Sequence, residues 1–310
     1  MEDNKLVMFK KEGTYGTDAA PTLADNAVLV RNFSSKPLAG DRIARNLDRP
    51  VRGRSADASS NERETMSYEI ELAGSGAAGT APGWMEHLEA CGMLVPVLTA
   101  GTSAVQRFAP VGTALSSATA WHYRGSLLVK GVGYRGTFGL DLTAGAYPYA
   151  KFDMTGLLGA VPHTEAVPGT PTLARWRAPV EVNTDNTDIT IDGYAPVLRS
   201  LSIDINADIA LRNLVNGRYV QRGNHAITGR AVVELPSLAD QDFFNMMRTN
   251  AEVPLEVTHG TVPGNIIQLS AALMQVTDIE LGEQNNVLEA TISFGLNVGN
   301  TNNDLVITAR

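Results

Sequence analysis

Ser202-Ile203-Asp204-Ile205-Asn206-Ala207-Asp208-Ile209 alternates polar and apolar residues without a break. In an extended chain Ile203, Ile205, Ala207 and Ile209 project to one face, and Ser202, Asp204, Asn206 and Asp208 to the other. A period of two predicts a strand with one face in a core and the other in water. The same alternation recurs at residues 187–192 and 288–294, and less cleanly at 137–142. Gly, Asn and Pro cluster at hairpin-like spacing around 131–136, 143–147 and 282–286, so the sheet is expected to be antiparallel.

Helical signals are few among some ten expected strands. Residues 82–92 read as a short helix, with Pro82 in the first turn and Gly92 as the stop. Residues 237–250 read as a second, with Ser237 as N-cap, Asp240 in a capping-box place and Phe243, Phe244 and Met247 as the apolar stripe. The chain is therefore read as mainly β.

Composition narrows the function classes. The 310 residues hold 25 Lys and Arg against 33 Asp and Glu, a net charge of −8. Proteins that neutralise nucleic-acid phosphates usually run the other way. Apolar residues are 44% and charged residues 19%, which allows a core and argues against disorder. At roughly 150 residues per domain, the length suggests two domains. The single cysteine, Cys91, excludes an intramolecular disulfide framework and a Cys₂His₂ or Cys₄ zinc site, and suits synthesis in a reducing cytosol. The acidic start Met1-Glu2-Asp3-Asn4-Lys5 leads into no long apolar stretch, so no secretory signal is expected. No apolar run approaches the ~18 residues of a membrane-spanning helix.

The two helices sit in similar surroundings. Tyr68-Glu69-Ile70-Glu71-Leu72 precedes the first, and Ala231-Val232-Val233-Glu234-Leu235 precedes the second. Aligning Leu72 with Leu235 sets Ile70 on Val233 and Glu71 on Glu234. Upstream, Arg45-Asn46-Leu47 lines up with Arg212-Asn213-Leu214 across a small gap, each expected to open a long polar loop. Downstream, both halves end in a hairpin and a strand finishing Gly-Leu. The order strand, long loop, strand, helix, hairpin suggests a duplication. It divides the chain into 1–160, a Pro-rich linker at 161–179, and 180–310.

Motifs for chemistry are weak. Gly74-Ser75-Gly76-Ala77-Ala78-Gly79 is a literal G-x-G-x-x-G between strand and helix, which raises a nucleotide-binding enzyme as an alternative reading. Against it, Glu69 and Glu71 make the preceding strand half wet, Pro82 starts the helix after the third glycine, and the acid expected about 20 residues on is missing. The five histidines show no metal-ligand spacing, and there is no Gly-x-Ser-x-Gly elbow. No catalytic residue, cofactor or metal is assigned.

Residues 41–54 stand out as a basic stretch in an acidic protein, with Arg42, Arg45, Arg49, Arg52 and Arg54. No aromatic residues are interleaved for base stacking. An arm reaching an acidic surface on a neighbouring copy, a nucleic-acid contact and a solvated loop are the three readings of it.

In this order the pieces resemble the major tail tube proteins of long-tailed, Mu-like siphophages. The resemblance rests on Lys11-Glu12-Gly13-Thr14-Tyr15-Gly16-Thr17-Asp18 with Pro21, on Asn26-Ala27-Val28-Leu29-Val30, and on Pro37-Leu38-Ala39-Gly40-Asp41 with the arginine stretch. It continues through 68–72 into Gly79, Trp84 and Ala90-Cys91-Gly92, and it is best over residues 11–93. It implies two tail-tube-like β-sandwich or barrel domains, each with a short flanking helix. Sheets of neighbouring subunits would join into one barrel around a channel, and rings would stack into a tube in the virion tail. The implied partners are other copies of the chain, a tape-measure protein, and tail terminator and distal tail proteins. DNA would pass without specific binding, and no membrane is involved. The five arginines become inter-ring contacts, and Ser202, Asp204, Asn206 and Asp208 become lumen-facing residues. A duplicated chain would close its ring with three copies in pseudo-sixfold symmetry, with six copies as the alternative. A capsid decoration, a secretion-tube subunit, and one tube domain carrying an immunoglobulin-like decoration remain the other assembly readings.

Overall fold

The computed structural model describes residues 5–167, 169–299 and 302–310. Residues 1–4 of the acidic start and Pro168 of the expected linker lie outside the described residues. The strands are β1 (Lys5–Lys11), β2 (Ala27–Val28), β3 (Arg31–Ile43), β4 (Ala58–Glu71), β5 (Val97–Thr99), β6 (Ser103–Arg107), β7 (Ala118–Arg124), β8 (Leu127–Thr143) and β9 (Tyr149–Thr164). They continue as β10 (Thr187–Ile191), β11 (Leu198–Asp204), β12 (Ile209–Leu214), β13 (Gly217–Arg222), β14 (Thr228–Glu234), β15 (Glu252–His259), β16 (Ile267–Gln284), β17 (Val287–Leu296) and β18 (Val306–Ala309). Helix α1 (Met85–Ala90) falls between β4 and β5, and α2 (Phe243–Thr249) between β14 and β15.

Eight strands pair side by side in the order β3-β4-β9-β8-β11-β14-β17-β16, every pair antiparallel. The first four come from one half of the chain and the last four from the other. β8 and β16 occupy matching places, and both change partners along their length. The first part of β8 pairs with β7 and its last residues with β11. The first part of β16 pairs with β15 and β18, and its last part with β17. The change in β8 falls at a bulge between Val132 and Arg135, where Gly133 has φ +64°. These bends turn the sheet over itself into a β-sandwich. The second layer is β2-β1-β7 on one side and β10-β15 with β18-β6-β5 on the other.

Alternation puts the core between the layers. Tyr68, Phe138, Phe152, Ile203, Ile292 and Phe294 point inward from the eight-strand run and meet Val7, Phe9, Val257, Leu269 and Ile307 of the second layer in one cluster. Trp84, Met85 and Leu88 from around α1 and Phe243 from α2 close its ends. The cluster runs through both halves, so truncating one of its large aliphatic members should cost about 2–5 kcal/mol.

Several expectations change in detail. The alternating run at 202–209 is not one strand: β11 ends at Asp204, and Asn206 turns the chain with φ +51°. The Asn206 amide bonds Thr228 Oγ1 at 2.8 Å, a local alternative to ladder pairing. Residues 131–136 are not a hairpin turn but the bulged middle of β8. Glycine is required there because a Cβ on Gly131 would stand 2.3 Å from the Tyr134 hydroxyl. The second helix starts at Phe243, capped by Asp242, whose carboxylate accepts from the Asn245 N–H at 2.8 Å. Ser237 and Asp240 instead close a turn of their own. Its buried residues are Phe243 and Met246, whereas Phe244 and Met247 are exposed, because the shorter helix meets the core at a different rotation.

β9 runs to Thr164, into the segment expected as linker, and the chain beyond it is packed. Trp176 Nε1 donates to the Ala27 carbonyl at 2.8 Å, and Thr172 N to Leu23 O at 3.0 Å. The two loops expected to match also differ. Arg212–Leu214 close β12 in a tight hairpin with β13. That hairpin folds back over the first half, where Asn213 donates to Asn61 and Arg218 to the Glu62 carbonyl.

Candidate assembly surface

The outward face of the eight-strand run is polar from edge to edge. Glu71, Tyr149, Asp141, Ser202, Arg230, Ser293 and Asp278 stand opposite one another across seven strands. The next row reads Arg31, Glu69, Lys151, Gly139, Asp204, Thr228, Gly295 and Gln275. None of these residues is buried. Gly139 leaves room for its neighbour: a Cβ there would stand 2.5 Å from Asp204 Oδ1.

Four cations on this face are paired, and Lys36 of β3 has no ion-pair partner among the described residues. Arg31 meets Glu69 at 2.8 Å, Arg199 meets Glu289 at 2.6 Å, Arg230 meets Glu280 at 3.3 Å, and Lys151 meets Asp153 at 3.7 Å. Glu71, Asp141, Asp204, Glu234 and Asp278 have no cationic partner among the described residues. The face is therefore net acidic. Burial, and then the carboxylates of Asp141 and Glu69, push the Tyr149 phenol up from its ordinary value.

Ser202 and Asp204 belong to this face. Asn206 and Asp208 are exposed but lie past the end of β11, in the turn into β12. The wider acidic row has no signal in the sequence. Glu71, Asp141 and Asp278 each lie on a separate strand, and only the pairing register brings them together.

The five arginines sit on the far end of the β3–β4 hairpin. Arg42 is in β3, and Arg45, Arg49, Arg52 and Arg54 lie in the segment without strand or helix between Ile43 and Ala58. All five are exposed. Arg54 pairs with Asp57 and Arg49 with Ser55. The side chains of Arg42, Arg45 and Arg52 make no hydrogen bond or ion pair among the described residues. β9 pairs with β4 only from Glu64 onward, so the hairpin beyond that point leaves the sheet as a two-stranded projection.

The N-terminal motif has a structural task that its sequence did not disclose. Glu12 is buried and accepts from Gly16 N at 2.8 Å, Gly133 N at 2.7 Å, Ser117 Oγ at 2.6 Å and Thr119 Oγ1 at 2.9 Å. This locks the turn that presents Tyr15, which bonds Val220 N at 2.5 Å beneath the Arg135 guanidinium. Arg135 also donates to the Val220 carbonyl at 2.9 Å. The motif thus ties the first half to the β12–β13 hairpin of the second.

The glycine loop is filled by protein. Gly74 N donates to Asn265 Oδ1 at 2.7 Å and Gly76 N to Gly264 O at 2.9 Å. A Cβ on Gly74 would meet Gly264 O at 2.0 Å. These glycines let two backbones from the two halves touch, and the Gly74 and Gly76 N–H groups are bonded to the turn before β16 rather than free for a phosphate. Cys91 is buried beside Met154, and burial pushes its thiol up. His122 is buried against Glu64 at 2.6 Å, and His225 lies 2.7 Å from Asp304. Among the described residues no three His, Cys, Asp or Glu side chains converge as a metal-ligand set.

A family model described as phage tail tube protein matches residues 3–296. The chain belongs to the phage tail tube family. As a tail tube protein it is a structural component of the virion tail, and membership of the family points to homo-oligomeric assembly within that tail. No curated protein matches the chain. For the tail tube protein, the acidic sheet face and the arginine projection are two exposed polar surfaces.

Proposed function

We propose that this tail tube protein closes a ring of three copies, each supplying two versions of one tube unit, and that stacked rings enclose a channel for DNA. The versions are residues 1–160 and 180–310. The observation that carries this reading is the strand order. β3-β4-β9-β8 and β11-β14-β17-β16 repeat one arrangement, with a helix after the second strand of each set in chain order. β8–β11 joins the two sets, and each outer strand keeps an open edge. Three copies would place twenty-four strands in a barrel about 50 Å across at the backbone. Two copies would give sixteen, the size that leaves only a porin-like aqueous channel.

In this reading the acidic face, with Ser202 and Asp204, lines the channel. Fixed carboxylates repel DNA phosphates, so the duplex slides without sticking. The arginine projection, exposed and largely unpaired, reaches a neighbouring ring, where guanidinium groups form forked pairs with carboxylates. A tape-measure protein fills the channel before DNA does, and terminator and distal tail proteins cap the tube. The siphophage character of the tail rests on the resemblance at residues 11–93. Electron microscopy of the purified protein tests the reading. Hollow tubes whose rings contain three chains are expected; six whole chains per ring overturn the duplicated unit, and compact particles without a channel overturn the tube.

A further inference from the structure

The repeated order allows the contact between copies to be written at residue level. The β8–β11 join is the only place where the two halves pair edge to edge within the eight-strand run. Its register is Ser202 opposite Asp141, Ile203 opposite Leu140 and Asp204 opposite Gly139. Each of these positions has a counterpart at an outer edge, identified by its neighbour on the inner side. Ser202 faces Arg230 of β14, and Ser34 faces Ser67 of β4. Asp141 faces Tyr149 of β9, and Gly282 faces Glu289 of β17. By the same correspondence Lys36 stands for Asp204, Ser35 for Ile203, Glu280 for Gly139 and Leu281 for Leu140.

We propose that β3 of one copy pairs antiparallel with residues 280–284 of β16 in the next, in the register of the β8–β11 join, with Ser34 opposite Gly282 and Lys36 opposite Glu280. This deepens the ring reading and rests on it.

Three observations favour a second copy as occupant. The edges are complementary in backbone, since among the described residues β3 pairs only with β4, and β15 leaves the β16 edge after Gln275. They are complementary in charge, a lysine meeting a glutamate whose present partner Arg230 is itself exposed. The apolar residues at the edge also lack a cover. Leu281 is 57% exposed, although its counterpart Leu140, covered by β11, is 3% exposed. An open strand edge bearing an uncovered leucine is a template for another strand. The internal join shows which strand fits.

Cysteine pairing tests the register. The one native cysteine, Cys91, is buried and gives a clean background. A Cβ on Gly282 meets nothing within 4 Å, so a cysteine is accommodated there. Ser34→Cys with Gly282→Cys in one chain should oxidise to covalent dimers and closed trimers, because directly opposed strand residues lie within disulfide reach. Ser34→Cys with Glu280→Cys, slipped by two residues, should cross-link poorly. Lys36→Glu alone should raise the concentration needed for assembly about fivefold or more, and adding Glu280→Lys should restore it. Tubes that form normally while the slipped pair links better than the in-register pair overturn the register and leave the ring reading intact. Folded protein that never assembles at any concentration overturns both. Charge reversal without effect on assembly overturns the Lys36–Glu280 contact.

Discussion

Gly74 is a residue at which the two halves of the chain touch backbone to backbone. Its Cα faces the Gly264 carbonyl so tightly that a methyl group would stand 2.0 Å from the oxygen. Both partners are backbone and cannot swing aside. Gly74→Ala should therefore lower stability by about 3 kcal/mol, read as a fall in the urea midpoint. His87 sets a different dependence. It is buried, stacked on Phe9 at 3.9 Å and 2.7 Å from the Tyr68 hydroxyl. Loss of water, and then the nearby Arg175 charge, hold its imidazole well below the usual histidine value. The unfolded chain takes up that proton near pH 6.5 while the folded chain does not. Below about pH 6.5 the unfolded state binds more protons, so stability present above that pH is lost as the pH falls. His259 is shifted in the same direction. Unfolding midpoints measured from about pH 7.5 to about pH 5 should fall, and His87→Gln should make the fall shallower.

At the scale of elements, the β3–β4 projection separates folding from assembly. Its exposed arginines bury no core, and replacing Arg45, Arg49 and Arg52 together with Ser should leave the thermal midpoint within about 2 °C. The same variant should form rings but few or short tubes by electron microscopy; unchanged tube lengths would remove the loop from ring-to-ring contact. Such elements differ in how far the sequence discloses them. β10, β11 and β17 are legible because alternation is a property of each strand by itself. The end of β11 is not, since Asn206 and Asp208 keep the alternation while the backbone leaves the sheet. The glycines at 131–136 look like a turn because turns and bulges need the same conformational freedom, and only the packing of Tyr134 and Met154 tells them apart. The sequence overextends helix α2 because Ser237 and Asp240 carry a capping signature that serves a separate turn. The acidic row across Glu71, Asp141, Ser202 and Asp278 is the least legible feature, since it exists only in the register between distant strands. The segments 68–72 and 231–235 each place a strand before a helix, and it is on this likeness that the proposed repeat rests.

For the whole molecule, one core runs through two four-strand sets, and a single sheet face crosses both. In the ring reading the sets alternate around the channel without being identical. One carries the basic projection, and the other carries the β12–β13 hairpin bent back over its partner. Neighbouring rings would then meet through three long projections rather than six, a difference that ring-averaged images of assembled tubes should display as threefold features on a near-sixfold wall. The β8–β11 join carries a kinetic consequence as well. Because it lies within one chain, it forms at the effective concentration of a tether rather than by encounter in solution. In the proposed barrel every second seam would then be complete before any two molecules meet. In the proposed ring, closure would need three bodies to meet instead of six, so the onset of assembly would depend less steeply on how much protein an infected cell has made.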